Sequence, residues 1–270
     1  MVRLSHLPKP AIFIVGVFLA ASLFLPLPYV ILTPGQGQDV LHSMIKIPGQ
    51  KTYPSTGKLL LTTVYVTSPD SKLFGFEVIP AWLSSNSIVY PRSALYPDNT
   101  SSKEIDAANV AEMVGSQQSA ATAALKYLSF PVKQQSVANS AGVKSTKYIL
   151  PFPVTFTLKD TGGPSGGLVF AIAIVAKLTP QDFIKGRVIA GTGTIDMQGH
   201  VGAIGGIDDK LVAAKRAGAT VFLAPAANCS DVTHVPAGMT VYSVNTLKEA
   251  ISVLKDSKSA IPHCTWQRNR

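Results

Sequence analysis

Leu158-Lys-Asp-Thr-Gly-Gly-Pro-Ser165-Gly-Gly167 is followed, after an apolar run, by Ala190-Gly-Thr-Gly-Thr-Ile195 and then by Ile204-Gly-Gly-Ile-Asp-Asp-Lys210. The elements around these three segments alternate. Leu168 to Leu178 is apolar almost all round, which predicts a fully buried helix. Arg187 to Ile195 reads as a strand, Asp196-Met-Gln-Gly199 as a turn, and Val201 to Ile204 as the return strand. Ile207 to Ala217 reads as a helix ended by Gly218. Strands follow at Thr220 to Leu223 and Thr240 to Val244. Thr246 to Leu254 is a helix opened by a Thr246-x-x-Glu249 capping box. Strands alternating with helices predict an α/β domain over residues 148–256.

Ser165 precedes a helix, so amides without intrahelical partners surround it and the helix dipole adds partial positive charge. An oxyanion formed by attack of Ser165 Oγ on a carbonyl would be stabilised there. The flanking glycines, among them Gly163 and Gly166, let a substrate backbone approach. An ordinary N-cap serine after a glycine turn is the plainer alternative. Lys210 is more telling. At 100° per residue from Ile207, it falls beside Ala214 and Ala217, while Asp208, Asp209, Lys215 and Arg216 share a polar arc. A lysine on the apolar face is desolvated, its pKa falls, and it becomes able to take a proton from a serine. The alternative is a lysine that snorkels to solvent.

Gly163-Pro-Ser-Gly-Gly167, Gly191-Thr-Gly-Thr-Ile195, Ile204-Gly-Gly-Ile-Asp-Asp-Lys210 and Ala213-Ala-Lys-Arg-Ala-Gly218 resemble, in order and spacing, the proteolytic domain of Lon-type serine proteases. The resemblance covers Asp160 to Asn228 closely. It implies a Ser–Lys dyad with Ser165 as nucleophile and Lys210 as general base. It also implies support from Thr192 and from the loop residues Gly163, Pro164 and Gly166, and a homo-oligomer such as a hexamer. The family usually has Asp-Gly-Pro-Ser-Ala-Gly; here Gly162 replaces the Asp and Gly166 the Ala. No G-x-x-x-x-G-K-[ST] stretch occurs in the sequence, so the ATP motor of Lon is not expected. The overall layout resembles the membrane-anchored Lon-like bacterial branch, although the interval from Leu128 to Ile149 is too short for that branch's PDZ domain.

Two rival readings stand beside this one. Gly163-x-Ser165-x-Gly167 also fits a nucleophile elbow, which needs a histidine base; His200, His234 and His263 are the candidates. A catalytically weak or inactive module that binds a partner at the cell envelope is the other. No cofactor and no metal site is expected.

Upstream, Ala11 to Leu32 contains no charged residue, with Arg3 and Lys9 before it. About 20 apolar residues suffice to span a bilayer as a helix. The expectation is therefore an N-terminal transmembrane helix, and the charge placement predicts a cytoplasmic N-terminus with the catalytic domain outside the cell membrane. A cleaved signal peptide is the competing reading. The layout expected is an α/β (α+β mixed) chain. Residues 1–33 form a cytoplasmic tip and anchor, residues 34–147 a small α/β connecting region outside the cytoplasm, residues 148–256 the proteolytic domain and residues 257–270 a tail. Within the connecting region Lys58 to Thr67 reads as a strand, Phe76 to Leu83 as a short helix, Ser102 to Leu128 as a long helix stopped by Pro131, and Gln134 to Lys147 as a loop. The formal charge of +9 is scattered, without basic–aromatic interleaving, so nucleic acid is not expected and lipid headgroups are the nearer anionic partner, with a solvated, charged surface as the plainer reading. Cys229 and Cys264 form no C-x-x-C pair; a disulfide between them and two free thiols are both open.

Overall fold

The computed structural model describes residues 8–84, 86–96, 100–138, 144–158, 161–256 and 260–264. Arg3, Asp160 and most of the 257–270 tail lie outside them. The chain divides into two compact units, residues 1–33 with 65–105 and residues 34–64 with 106–270. In chain order the main elements are helix α1 (Lys9–Leu23), strands β1 (Tyr29–Asp39) and β2 (Lys58–Val66), helix α2 (Gly75–Leu83), strand β3 (Ile88–Pro91) and helix α3 (Ser102–Tyr127). Then come helix α4 (Gly167–Leu178), strand β4 (Val188–Gly191), helix α5 (Ile207–Arg216), strands β5 (Val221–Pro225) and β6 (Thr240–Val244), and helix α6 (Leu247–Lys255).

The larger unit is built on a sheet of order β6-β5-β4-β2-β1. The pairs β5–β6, β4–β5 and β2–β4 are parallel, with Ala190 opposite both Leu60 and Phe222. A parallel sheet is covered on both faces, so its strands read as unbroken apolar runs. Alternation along each strand then assigns the faces. Leu59, Leu61, Ile189 and Leu223 pack with α4, α6 and the second half of α3. Leu60, Ala190, Phe222 and Ala224 pack with Ile207, Leu211 and Ala214 of α5. Helix α4 is the centre of the first layer: Gly167 to Ala176 are all buried, as its all-round apolar sequence predicts. Burying each large side chain contributes about 1.5–3 kcal/mol. Helix α6 starts as expected, with Thr246 Oγ1 accepting from the Glu249 amide at 3.1 Å.

Two segments of this unit differ from expectation. The 187–195 strand is broken: β4 ends at Gly191, and Thr194–Ile195 turns away to pair antiparallel with Val201–Gly202. Gly193 sits at the break with φ +154°, a backbone region that favours glycine. The polar 134–147 segment is not a loop. Residues 133–138 and 144–149 form an antiparallel pair, with Gln135 opposite Lys147. Its mostly exposed polar side chains hide the strand signal, because neither face is apolar.

The smaller unit corrects the N-terminal expectation. The uncharged 11–32 run is not one helix. Helix α1 has 15 residues, about 22 Å at 1.5 Å per residue, against roughly 30 Å of bilayer hydrocarbon. Pro26 and Pro28 cannot continue a helix. Beyond them the β-branched Val30 and Ile31 enter β1, where residues 29–32 pair antiparallel with β3, and Val30 and Leu32 are buried. Among the described residues no helix is long and apolar enough to cross a membrane. The transmembrane helix, the single-pass localisation and the membrane partner inferred from it are therefore not supported. Helix α2 lies where it was expected, with Glu77 accepting from the Phe74 amide at 2.9 Å.

Candidate active site

Ser165 lies half-buried on the loop that enters α4. Two hydrogen bonds from α3 hold this loop. The Gly163 amide donates to Asn109 O at 3.0 Å, and Ser116 Oγ donates to Pro164 O at 2.9 Å. Gly163 has φ +84°, which a side chain would strain. The broken strand holds the other side. The Gly193 amide donates to Ser165 O at 2.8 Å, and Gly193 O accepts from the Leu168 amide at 3.0 Å. Close packing excludes larger residues. A Cβ on Gly166 would lie 2.9 Å from the Phe170 ring and 3.0 Å from Leu61. The glycine standing in place of the family's alanine is thus matched to Phe170. A Cβ on Gly162 would lie 2.7 Å from Asn109 Cβ, so the site has no space for the family's aspartate there without a shift.

Thr192 joins the loop to Lys210. It is fully buried; its Oγ1 donates to Ser165 O at 3.1 Å and lies 3.2 Å from Lys210 Nζ, which donates to it. Lys210 is 3% exposed. It does not snorkel: it sits in the first turns of α5, on the face that packs with the sheet. Burial pushes its pKa down from 10.5 to about 8. Asn228 fixes the approach to α5, its side-chain oxygen and nitrogen bonding the amide and carbonyl of Ile204, each at 2.9 Å. One residue on, Cys229 is joined to Cys264 in a disulfide. Asp209 is also buried, and its Oδ2 has no hydrogen-bond partner. Burial, and next the neighbouring Asp208, raise its pKa to about 6.

Among the described residues the amides of Ser165 and Gly166 have no backbone acceptor. They are the free donors at this helix start. The Gly163 amide is committed to Asn109, and Pro164, lacking an N–H, contributes its carbonyl to the loop's anchorage. The rival histidines stand apart from this cluster. His200 is bonded to Asp196 at 2.7 Å and largely exposed. His263 packs edge-on against Tyr242, and His234 is exposed. Among the described residues no group of three or more His, Cys, Asp or Glu is placed to hold a metal ion. Sequence reading missed Asn109 and Ser116, which sit about fifty residues before the loop they anchor.

Residues 109–256, more than half of the chain, match the family described as the Lon protease (S16) C-terminal proteolytic domain. The chain belongs to the Lon protease family. It is 32% identical over 146 residues to the Lon protease of Treponema pallidum (strain Nichols), covering 53% of this chain and 16% of that protein. It is 38% identical over 105 residues to the Lon protease of Buchnera aphidicola subsp. Schizaphis graminum (strain Sg), covering 37% of this chain and 13% of that protein. With the Lon protease of Clostridioides difficile (strain 630) it shares 42% identity over 74 residues, 27% of this chain and 9% of that protein. The chain thus spans less than a fifth of the length of these relatives. The part of the family that it matches is the proteolytic domain.

Proposed function

We propose that the chain is a serine endopeptidase that hydrolyses peptide bonds with a Ser165–Lys210 dyad and without nucleotide. One observation carries the reading. A lysine amine, buried and pushed down to about 8, is hydrogen-bonded to a threonine that itself bonds the carbonyl of Ser165. Near neutral pH and above, such an amine has a neutral fraction able to accept a proton. In the proposed first step Ser165 Oγ attacks the scissile carbonyl and its proton passes to Lys210 Nζ. The oxygen of the tetrahedral intermediate takes hydrogen bonds from the Ser165 and Gly166 amides, and Lys210 returns the proton to the leaving amine. Water, deprotonated by the same lysine, then releases the acyl group. Thr192 is a positioning residue that fixes both the amine and the serine backbone.

The matched residues 109–256 correspond to the proteolytic domain alone, which supports reading its peptide-bond chemistry as separate from nucleotide hydrolysis. The paired strands 133–138 and 144–149 occupy the interval after α3, which supports a layout without a PDZ domain at that point. The family resemblance supports a homo-oligomer, with a hexameric ring as the proposed form. The test is cleavage of an unfolded protein with and without ATP and magnesium. The expected result is cleavage in both conditions at rates within about twofold. Cleavage that requires ATP would overturn the nucleotide-independent reading.

A further inference from the structure

A groove of about 640 Å³ opens beside the nucleophile loop, wholly within the larger unit. One wall is α3. Val110, Met113, Val114 and Gln117 recur at helical spacing and face it. The other wall carries Phe156 and ends at Gly162, three residues before Ser165. The middle of the groove is apolar, and among the described residues its lining contains a single formal charge, Asp106. Asp106 is exposed and has no ion-pair partner among the described residues. Its sign opposes that of the chain as a whole, which carries a formal +9.

The two hydrogen bonds from α3 orient the groove. Gly163 touches Asn109 and Pro164 touches Ser116, so moving toward Ser165 means moving along α3 from Asn109 to Ser116. Asp106 therefore lies at the end remote from the nucleophile. Ten helical residues separate Asp106 from Ser116, about 15 Å along the axis. An extended peptide covers that distance in roughly four or five residues at about 3.4 Å each.

We propose that Asp106 is a specificity residue that selects a lysine or arginine side chain of the substrate, roughly three to five residues from the scissile bond. The apolar stretch at Val110, Met113 and Val114 takes the intervening side chains. This proposal rests on the proteolytic reading for its use but not for its test. An exposed ion pair is weak, so the selection is a matter of about three- to tenfold and fades with salt.

The experiment measures binding as well as cleavage. Fluorescent peptides with a central leucine carry arginine, glutamine or glutamate at three, four or five residues to either side. Their Kd values are measured on the full chain with Ser165→Ala, alone and combined with Asp106→Asn or Asp106→Lys, and kcat/KM on the corresponding chains that retain Ser165. The arginine peptide is expected to bind about three- to tenfold more tightly than the glutamate peptide at one of these positions. Asp106→Asn removes the preference and Asp106→Lys reverses it, with the change residing in KM rather than kcat. Equal binding of the two peptides, or a preference that survives Asp106→Lys, overturns the proposal even if the dyad is active. Failure of cleavage with the binding preference intact would fall on the dyad instead.

Discussion

Lys210→Met is expected to abolish peptide hydrolysis, lowering kcat/KM by roughly 10²–10⁴, and at the same time to stabilise the fold. The two effects share one cause. The amine is held where water cannot solvate its charge, and that burial pushes its pKa from 10.5 to about 8. Below pH 8 the folded chain carries the full cost of burying an ammonium group. Between about pH 8 and 10.5 the unfolded chain still binds a proton that the folded chain has released, so stability rises with pH across that window. The cost below pH 8 is on the order of 3 kcal/mol. Methionine is unbranched, apolar and adaptable, so it fills the same space without that cost. Thermal unfolding of the Lys210→Met chain is expected to show a higher Tm at pH 7, with the advantage narrowing above pH 8. Ser165→Ala removes the proposed nucleophile and is expected to be equally inactive, but it leaves the buried amine in place and is expected to show no such gain. A Lys210→Met chain that stays active, or unfolds earlier at pH 7, would contradict the role given to this lysine.

Thr192→Val is expected to lower kcat by roughly 10- to 100-fold with little change in KM. Valine matches threonine in shape, so packing in this fully buried position is kept. What goes is Oγ1, the one hydrogen-bond partner of Lys210 Nζ among the described residues, and its bond to Ser165 O. Ser165 O keeps the Gly193 amide; the amine is left without a partner. An unsatisfied buried polar group costs about 1–3 kcal/mol, so stability falls by a similar amount. Thr192 touches no part of the proposed groove, which is why kcat rather than KM responds. Thr192→Ser restores the hydroxyl and is expected to recover most of the rate. Loss of activity in both variants alike would make Thr192 a packing residue only.

Much of the candidate site's geometry was legible because it lies in local patterns. The glycine run around Ser165 and the helical phase of Lys210 are properties of short segments, and both residues fall where those patterns put them. The pinning of the serine loop was not legible. Asn109 and Ser116 act through a backbone contact and a single hydroxyl, and nothing in a helix of small and polar residues marks two of them as anchors. The core was half-legible for a similar reason. The apolar texture of Leu168 to Leu178 announces a buried helix, but no local feature says that β2, more than a hundred residues before β4, is its parallel neighbour. The N-terminal run misleads because hydropathy does not separate a membrane helix from a shorter helix followed by a buried strand. The prolines at 26 and 28 and the β-branched residues after them mark the break, and they carry more information than the absence of charge.

The most direct test of the Ser165–Lys210 account is the pH dependence of Ser165 acylation by a serine-reactive electrophile, followed by mass spectrometry of the intact chain. The account predicts labelling at Ser165 with a rate that rises as the amine deprotonates, reaches half its limit near pH 8, and is lost in the Lys210→Met chain. A rate that levels off near pH 6.5 and survives Lys210→Met would instead place the base on a histidine and contradict the dyad.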